Sequence, residues 1–278
     1  MFNNIEPQRY HVEYHDLVPR LGDRIVCYNG KEFLVKTDGD SISFPTYEEY
    51  DIASPYRYLF SIEDDRYFLY IGDVYPEERR FSWVTSDFFR SKQMSKAMNF
   101  AGITAFHLAK WYRTNRFCGV CGNKMEHDGI ERMMHCPECG NTVYPRISPA
   151  IILAVYDGDR LLMSKYKNRK NARFVLIAGF AEIGESLEDA ARREAFEETG
   201  IRIKNIRYYR SQPWGLTDTL LAGFYAELDG DETITVEEDE LADAQWIPRE
   251  EIECSFDDFS LTNDMIWHFK QNDFKDLI

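Results

Sequence analysis

The chain has 278 residues, 44% of them apolar, which is enough for two core-bearing domains or one large one. Its formal net charge of −15 opposes non-specific attraction to nucleic acid or an anionic membrane, although a local basic groove stays open to it. The opening MFNNIEPQRYHVEY has no apolar targeting segment, and no stretch reaches the roughly 18 apolar residues of a membrane span, so a cytoplasmic protein without membrane contact is expected.

Residues 1–114 read as a β-rich N-terminal domain closed by a helix. Short β-prone runs at 24–28, 32–35, 56–60 and 66–71 are separated by acidic and glycine-containing turns. From Asp87 to Arg113 the pattern becomes helical, with Met94, Ala97, Met98, Ala101, Ala105, Leu108 and Trp111 at three- and four-residue spacing.

Residues 115–145 hold Cys118, Cys121, Cys136 and Cys139, two CxxC pairs of the six cysteines in the chain. Six cysteines are too few for a disulfide scaffold, and the paired spacing suits a metal in a reducing compartment. Gly122 and Gly140 follow the pairs and allow the tight turns that bring backbone amides toward sulfur. Four thiolates close a tetrahedral site, so structural Zn²⁺ is expected, with His127 and His135 as non-ligands. Cys27 and Cys254 read as small buried side chains.

Residues 146–278 form a third domain. The apolar run 147–156, a DGD turn at 157–159 and its partner 160–165 read as strands, with further strands at 173–178, 206–212, 219–228 and 244–247. Helices at about 187–199 and 260–272 would cover them, giving an α/β fold with a mixed sheet between helices.

Within the first helix, Glu194, Glu197 and Glu198 fall inside an arc of roughly 100°. A charged helix end is the plain explanation, since Glu and Arg are good helix formers. Yet the same stripe carries Leu187, Ala190 and Ala191, which points it inward. At ~4 Å and an effective dielectric of ~20, each carboxylate pair repels by about 4 kcal/mol, which calls for a cation, and hard oxygen donors suit Mg²⁺ or Mn²⁺. Ser186 is placed to cap the helix and Gly200 to end it.

The segment GFAEIGESLEDAARREAFEETG from Gly179 to Gly200 carries Glu185 six residues in and RExxEExG from Arg193. It resembles the Nudix box at every fixed position, so the expected fold is the Nudix α/β/α sandwich, preceded by the ribbon and the β-rich domain. The two CxxC pairs, the box and SQPW at 211–214 together resemble the NADH pyrophosphatase family across most of the chain. That resemblance implies metal-dependent hydrolysis of the pyrophosphate bond of NADH or NAD⁺ to nicotinamide mononucleotide and AMP. It implies a catalytic set of Arg193, Glu194, Glu197 and Glu198 with Glu185 in support. Glu194, Glu198, the Ala178 carbonyl and Glu240 would hold Mg²⁺ or Mn²⁺, and which remaining carboxylate activates water stays open. It also implies substrate contacts at Glu131, Tyr144, Phe180, Gln212, Pro213, Trp214 and Thr219, and a homodimer. The family's SQPWPFPxS continues here as GLTDT after SQPW, which removes two prolines and a phenylalanine. A hydrolase of ADP-ribose, other dinucleotides or NAD-capped RNA is therefore the alternative, and a non-catalytic binding protein a third reading.

Overall fold

The structure is a computed structural model that describes residues 1–38, 41–50, 55–72, 75, 81–90, 94–167, 173–237, 239 and 241–278. Contacts divide the chain into two units: Phe2–Arg146 with Gly215–Asp218, and Ile147–Trp214 with Thr219–Ile278 and Met1. The expected N-terminal domain and ribbon therefore fall within the same unit.

In that unit, β1 (Tyr10–His11), β2 (Arg24–Val26), β5 (Tyr56–Ile62) and β6 (Asp65–Tyr70) make a sheet of order β1-β5-β6-β2. β3 (Glu32–Asp38), β4 (Ser41–Ser43) and β7 (Phe81–Thr85) make a second sheet, and α1 (Tyr47–Tyr50) is a single turn. Their core is rich in aromatics, with Tyr50, Tyr56, Tyr58, Phe68 and Tyr70 buried around Ile25 and Leu34. The helix expected over 87–113 is a 3-10 turn at Ser86–Arg90 followed by α2 (Lys96–Thr114). Ser95 starts α2 by accepting a hydrogen bond from the Met98 amide, which is why the helix begins there. The ribbon adds β8 (Glu126–His127), β9 (Met134–His135) and β10 (Thr142–Val143).

The other unit is built on β11 (Ser148–Asp157), β12 (Arg160–Tyr166), β13 (Ile177–Phe180), β14 (Ile203–Trp214), β15 (Thr219–Leu228) and β16 (Leu241–Pro248). The order is β14-β15-β11-β12-β16, and β13 pairs with β11. β11 and β15 run parallel while their other partners are antiparallel, so the sheet is mixed, as expected. The alternation along β11 assigns its faces. Ile152, Ala154 and Tyr156 pack with Leu261, Met265 and Phe269 of α4 (Leu261–Gln271). Ile151, Leu153 and Val155 pack with Ala190, Ala191 and Ala195 of α3 (Leu187–Thr199). Period-two side chains on a strand buried on both sides thus give the helix-sheet-helix sandwich.

Candidate active site

α3 is fixed by its ends. The Ser186 side chain accepts from the Asp189 amide, and Gly200 closes the helix at φ 71°. Small residues at 190, 191 and 195 let the helix lie close to the sheet, and the box glutamates come out graded in exposure. Glu198 is 1% exposed, the Glu194 side chain 12% and the Glu197 side chain 52%. The inward face predicted for all three is thus reached by Glu198 and Glu194, while Glu197 stands at the rim.

Arg193 organises the carboxylates. Its Nε and Nη2 donate to Glu185 Oε1 and Oε2, both at 2.8 Å, a bidentate pair. Its Nη1 donates to Glu194 Oε1 at 2.7 Å and Glu197 Oε2 at 3.0 Å, and Nη2 also donates to the Phe180 carbonyl at 2.9 Å. All five guanidinium donors are thereby used within the box. Glu185 pulls the Arg193 pKa upward, and Arg193 in turn holds the Glu185 carboxyl at about 2.

β13 carries the other half of the site. Ala178 and Phe180 pair with Ile152 and Ala150 of β11. Glu194 packs directly onto the backbone of Gly179, where a Cβ would lie 2.0 Å from its Oε1. Only glycine leaves room for that carboxylate. Tyr166, at the end of β12, places its hydroxyl 3.3 Å from the Ala178 carbonyl and 3.4 Å from Glu198 Oε1. Sequence reasoning missed Tyr166, because the contact depends on strand adjacency and no local pattern signals it. The Ala178 carbonyl and the Glu198 carboxylate meet at the Tyr166 hydroxyl, and the shielded Glu194 lies on Gly179 next to Ala178, held by the Arg193 guanidinium that also binds Glu185 and Glu197. That anionic, all-oxygen donor set fits a hard divalent cation.

The SQPW segment is not a loop. It ends β14, and only Gly215–Thr217 form a 3-10 turn before β15. The register sets Phe180, Ala150, Leu221 and Gln212 in one row across β13, β11, β15 and β14, with Trp214 opposite Thr219 two residues along. Three strand spacings put Phe180 and Gln212 about 14 Å apart at the same end of the sheet. Phe180 is 54% exposed, so its ring does not serve the core. The Trp214 ring is half-buried, edge-on to Phe259 at 5.9 Å, and Pro213 is exposed.

Gln212 is fully buried, donates through Nε2 to the Phe259 carbonyl at 2.9 Å and accepts from the Leu261 amide at 2.8 Å. Those bonds tie β14 to the start of α4. Thr219 is buried as well, 3% exposed. Glu240 lies outside the described residues.

In the other unit, Tyr144 donates to Glu131 at 2.7 Å, so two expected substrate contacts meet on an exposed surface. The sulfur atoms of Cys118, Cys121, Cys136 and Cys139 lie within 4.8 Å of one another. The two halves of the ribbon repeat one turn: Gly122 N donates to Cys118 O and Gly140 N to Cys136 O, with φ of 77° and 74° that favour glycine. Amides of Cys121 and Val120 hold the Cys118 thiol down to about 6. Four thiols at this spacing, with turn amides directed at the Cys118 sulfur, fit structural Zn²⁺. His127 is engaged elsewhere, with Nε2 3.0 Å from the Tyr112 hydroxyl, and burial lowers its pKa to about 4.

Comparison with known proteins agrees with this arrangement. The NUDIX domain family matches residues 146–265, and the NADH pyrophosphatase zinc ribbon domain matches residues 113–144. Proteins named NAD-capped RNA hydrolase NudC from Salmonella typhi and Salmonella heidelberg (strain SL476) are 42% identical over 139 residues, 50% of this chain and 54% of each relative. The chain thus spans about half the length of the curated relatives it matches. A crystal structure of a NUDIX hydrolase from Nitrosomonas europaea aligns with a TM-score of 0.48 at 21% identity, covering 56% of this chain and 91% of that one. The box helix and the mixed sheet lie inside the first matched segment and the four cysteines inside the second, so residues 146–265 are a NUDIX domain and residues 113–144 a zinc ribbon of the NADH pyrophosphatase type.

Proposed function

We propose that this chain hydrolyses the pyrophosphate bond of NADH and NAD⁺, giving nicotinamide mononucleotide and AMP. The observation that carries the reading is the convergence of the Ala178 carbonyl, Glu198 and Tyr166 beside the Arg193-bound Glu194. Glu194, Glu198 and the Ala178 carbonyl would hold Mg²⁺ or Mn²⁺, which would neutralise charge at the pyrophosphate. Arg193 holds the box carboxylates in place and has no donor left for substrate.

Of the two remaining carboxylates, Glu185 at about 2 is a poor base at neutral pH. Glu197, at the rim, takes the proton from the attacking water. The water oxygen bonds to one phosphorus, and the bridging oxygen leaves on the other. Phe180 and Trp214 offer flat rings at the same end of the sheet, on the face shared by Ala178, Ile152 and Phe259. Their separation suits a dinucleotide whose pyrophosphate lies between two ring systems. The reading places the protein in the cytoplasm as a homodimer, on the strength of its resemblance to the family.

A second reading, cleavage of the NAD cap on RNA, is favoured by the names of the 42% identical relatives. The net charge of −15 weighs against a long RNA contact. The deciding experiment incubates the zinc-loaded chain with Mg²⁺ or Mn²⁺ and NADH, NAD⁺, ADP-ribose, diadenosine polyphosphates or NAD-capped RNA, and separates the products. NADH consumption to two mononucleotides is the expected result. NADH left intact while ADP-ribose or capped RNA is consumed overturns the first reading.

A further inference from the structure

The unit that contains the ribbon holds a cavity of about 460 Å³ to which the proposed reaction gives no role. The volume falls in the range of about 300–1,000 Å³ typical of small-molecule sites. Its lining sets Arg57, Arg116 and Lys124 against the single acid Glu126, in a chain whose overall balance is strongly acidic. The cationic character there runs against the composition around it.

Two details point to a ligand. Arg57 lines the cavity, and among the described residues its Nε has no hydrogen-bond acceptor and its Nη1 reaches only the Tyr56 carbonyl at 3.4 Å. An anion in the cavity gives the outer nitrogens of such a guanidinium the acceptors that the protein does not. Phe117 is the second detail. It lines the cavity, is 64% exposed, and pairs across an isolated β-bridge with Lys124. A bridged pair sets its Cβ atoms about 5 Å apart, so an open aromatic ring and a lysine leave the backbone side by side at the cavity.

The remaining polar groups do not compete for an anion. His127 has its ring nitrogens near the Tyr112 hydroxyl at 3.0 Å and the Tyr14 hydroxyl at 3.5 Å, and burial keeps the ring neutral. Met125 and Met134 supply an apolar floor, 4% and 8% exposed. We infer that this cavity is a second nucleotide site, which takes a nucleoside phosphate, free or at the end of an RNA strand, with its phosphate on Arg57, Arg116 and Lys124 and its ring against Phe117. The site is separate from the box carboxylates and stands or falls independently of the proposed hydrolysis.

The test uses the full zinc-loaded chain, without added Mg²⁺ or Mn²⁺ and with methyl-labelled methionine, so that Met125 and Met134 report on this cavity and Met163 and Met265 on the core of the other unit. Titration with AMP should shift the Met125 and Met134 signals saturably, with half-saturation at about 1 mM or below, and leave Met163 and Met265 in place. Adenosine and inorganic phosphate, each lacking one half of the ligand, should bind about tenfold more weakly. Lys124→Glu, at an exposed position, should weaken AMP by about tenfold or more. Arg57→Gln should do the same, and unchanged Met163 and Met265 signals show that the fold has survived. A 5′-phosphorylated dinucleotide binding about tenfold tighter than AMP assigns the site to RNA, and equal affinity assigns it to free nucleotide. Absent shifts at about 10 mM AMP, equal shifts with adenosine, or affinity unchanged in Lys124→Glu overturns the inference.

Discussion

Gly179→Ala tests how the site is built, because it perturbs one carboxylate from the backbone side without touching any acid. An alanine Cβ would lie 2.0 Å from Glu194 Oε1 and Cδ and 2.5 Å from Oε2. Ordinary contact with those atoms needs about 3.5 Å, so the carboxylate must retreat by about 1.5 Å. That movement also strips the 2.7 Å hydrogen bond from Arg193 Nη1. Misplacing a reacting group by ~1 Å costs roughly 100-fold in rate, equivalent to about 2.7 kcal/mol in the barrier. The melting temperature should move little, since a carboxylate at the end of a flexible side chain is what yields. Steady-state turnover of NADH with Mg²⁺, measured beside Gly119→Ala, checks this. Gly119 has nothing within 4 Å of an added Cβ, which makes it the control for a glycine-to-alanine change that meets open space. A Gly179→Ala rate within roughly threefold of the parent would show that the Glu194 position is irrelevant and refute the reasoning.

Other predictions follow from the same geometry. The Glu185 carboxyl is depressed from 4.5 to about 2 in the folded chain, so it stabilises the fold above pH 4.5 and loses that contribution as pH falls through 2. Glu185→Gln should therefore melt below the parent near neutral pH, with the gap closing between 4.5 and 2; a gap that stays constant with pH contradicts the assignment. Tyr166→Phe removes the hydroxyl beside Ala178 O and Glu198, and should raise the Mn²⁺ dissociation constant roughly tenfold by electron paramagnetic resonance while the circular dichroism spectrum is retained. Unchanged Mn²⁺ affinity would leave Tyr166 without a positioning role. Cys136→Ser should lose zinc and open the ribbon to proteolysis, since structural zinc contributes ~10–16 kcal/mol against a typical domain stability of ~5–15 kcal/mol. Full zinc content in that variant would remove the four-sulfur site.

Much of the catalytic unit was legible because its signals are local. Ser186 and Gly200 bracket α3 at the expected residues, and Thr219–Leu228 is the expected strand. The largely apolar run 147–156 conceals two faces, which become visible only when α3 and α4 settle on opposite sides of it. The strand expected over 173–178 starts later, at Ile177, because Val175 meets only Ser164 in an isolated bridge and the main pairing with β11 begins at Ile177. β7 was missed although Phe81, Trp83 and the residues between them alternate as a half-buried strand should. The resemblance implies a substrate contact at Gln212, and the fold adds a buried pair of hydrogen bonds from its amide to the start of α4. Tyr166 left no trace in the pattern. Both depend on which strand lies beside which helix, and spacing along the chain does not encode that. Arg193, in contrast, was readable as a member of the box from its local spacing, and its five donors hold the carboxylates and the Phe180 carbonyl around it.

The central claim is that the Glu198 carboxylate and its neighbours perform metal-dependent pyrophosphate hydrolysis. Glu198→Gln keeps the size and hydrogen-bonding reach of the side chain and removes its charge, so single-turnover hydrolysis of NADH in the presence of Mg²⁺ isolates that charge. The account predicts that AMP release is abolished while the variant stays folded and zinc-loaded. AMP release at the parent rate would contradict it.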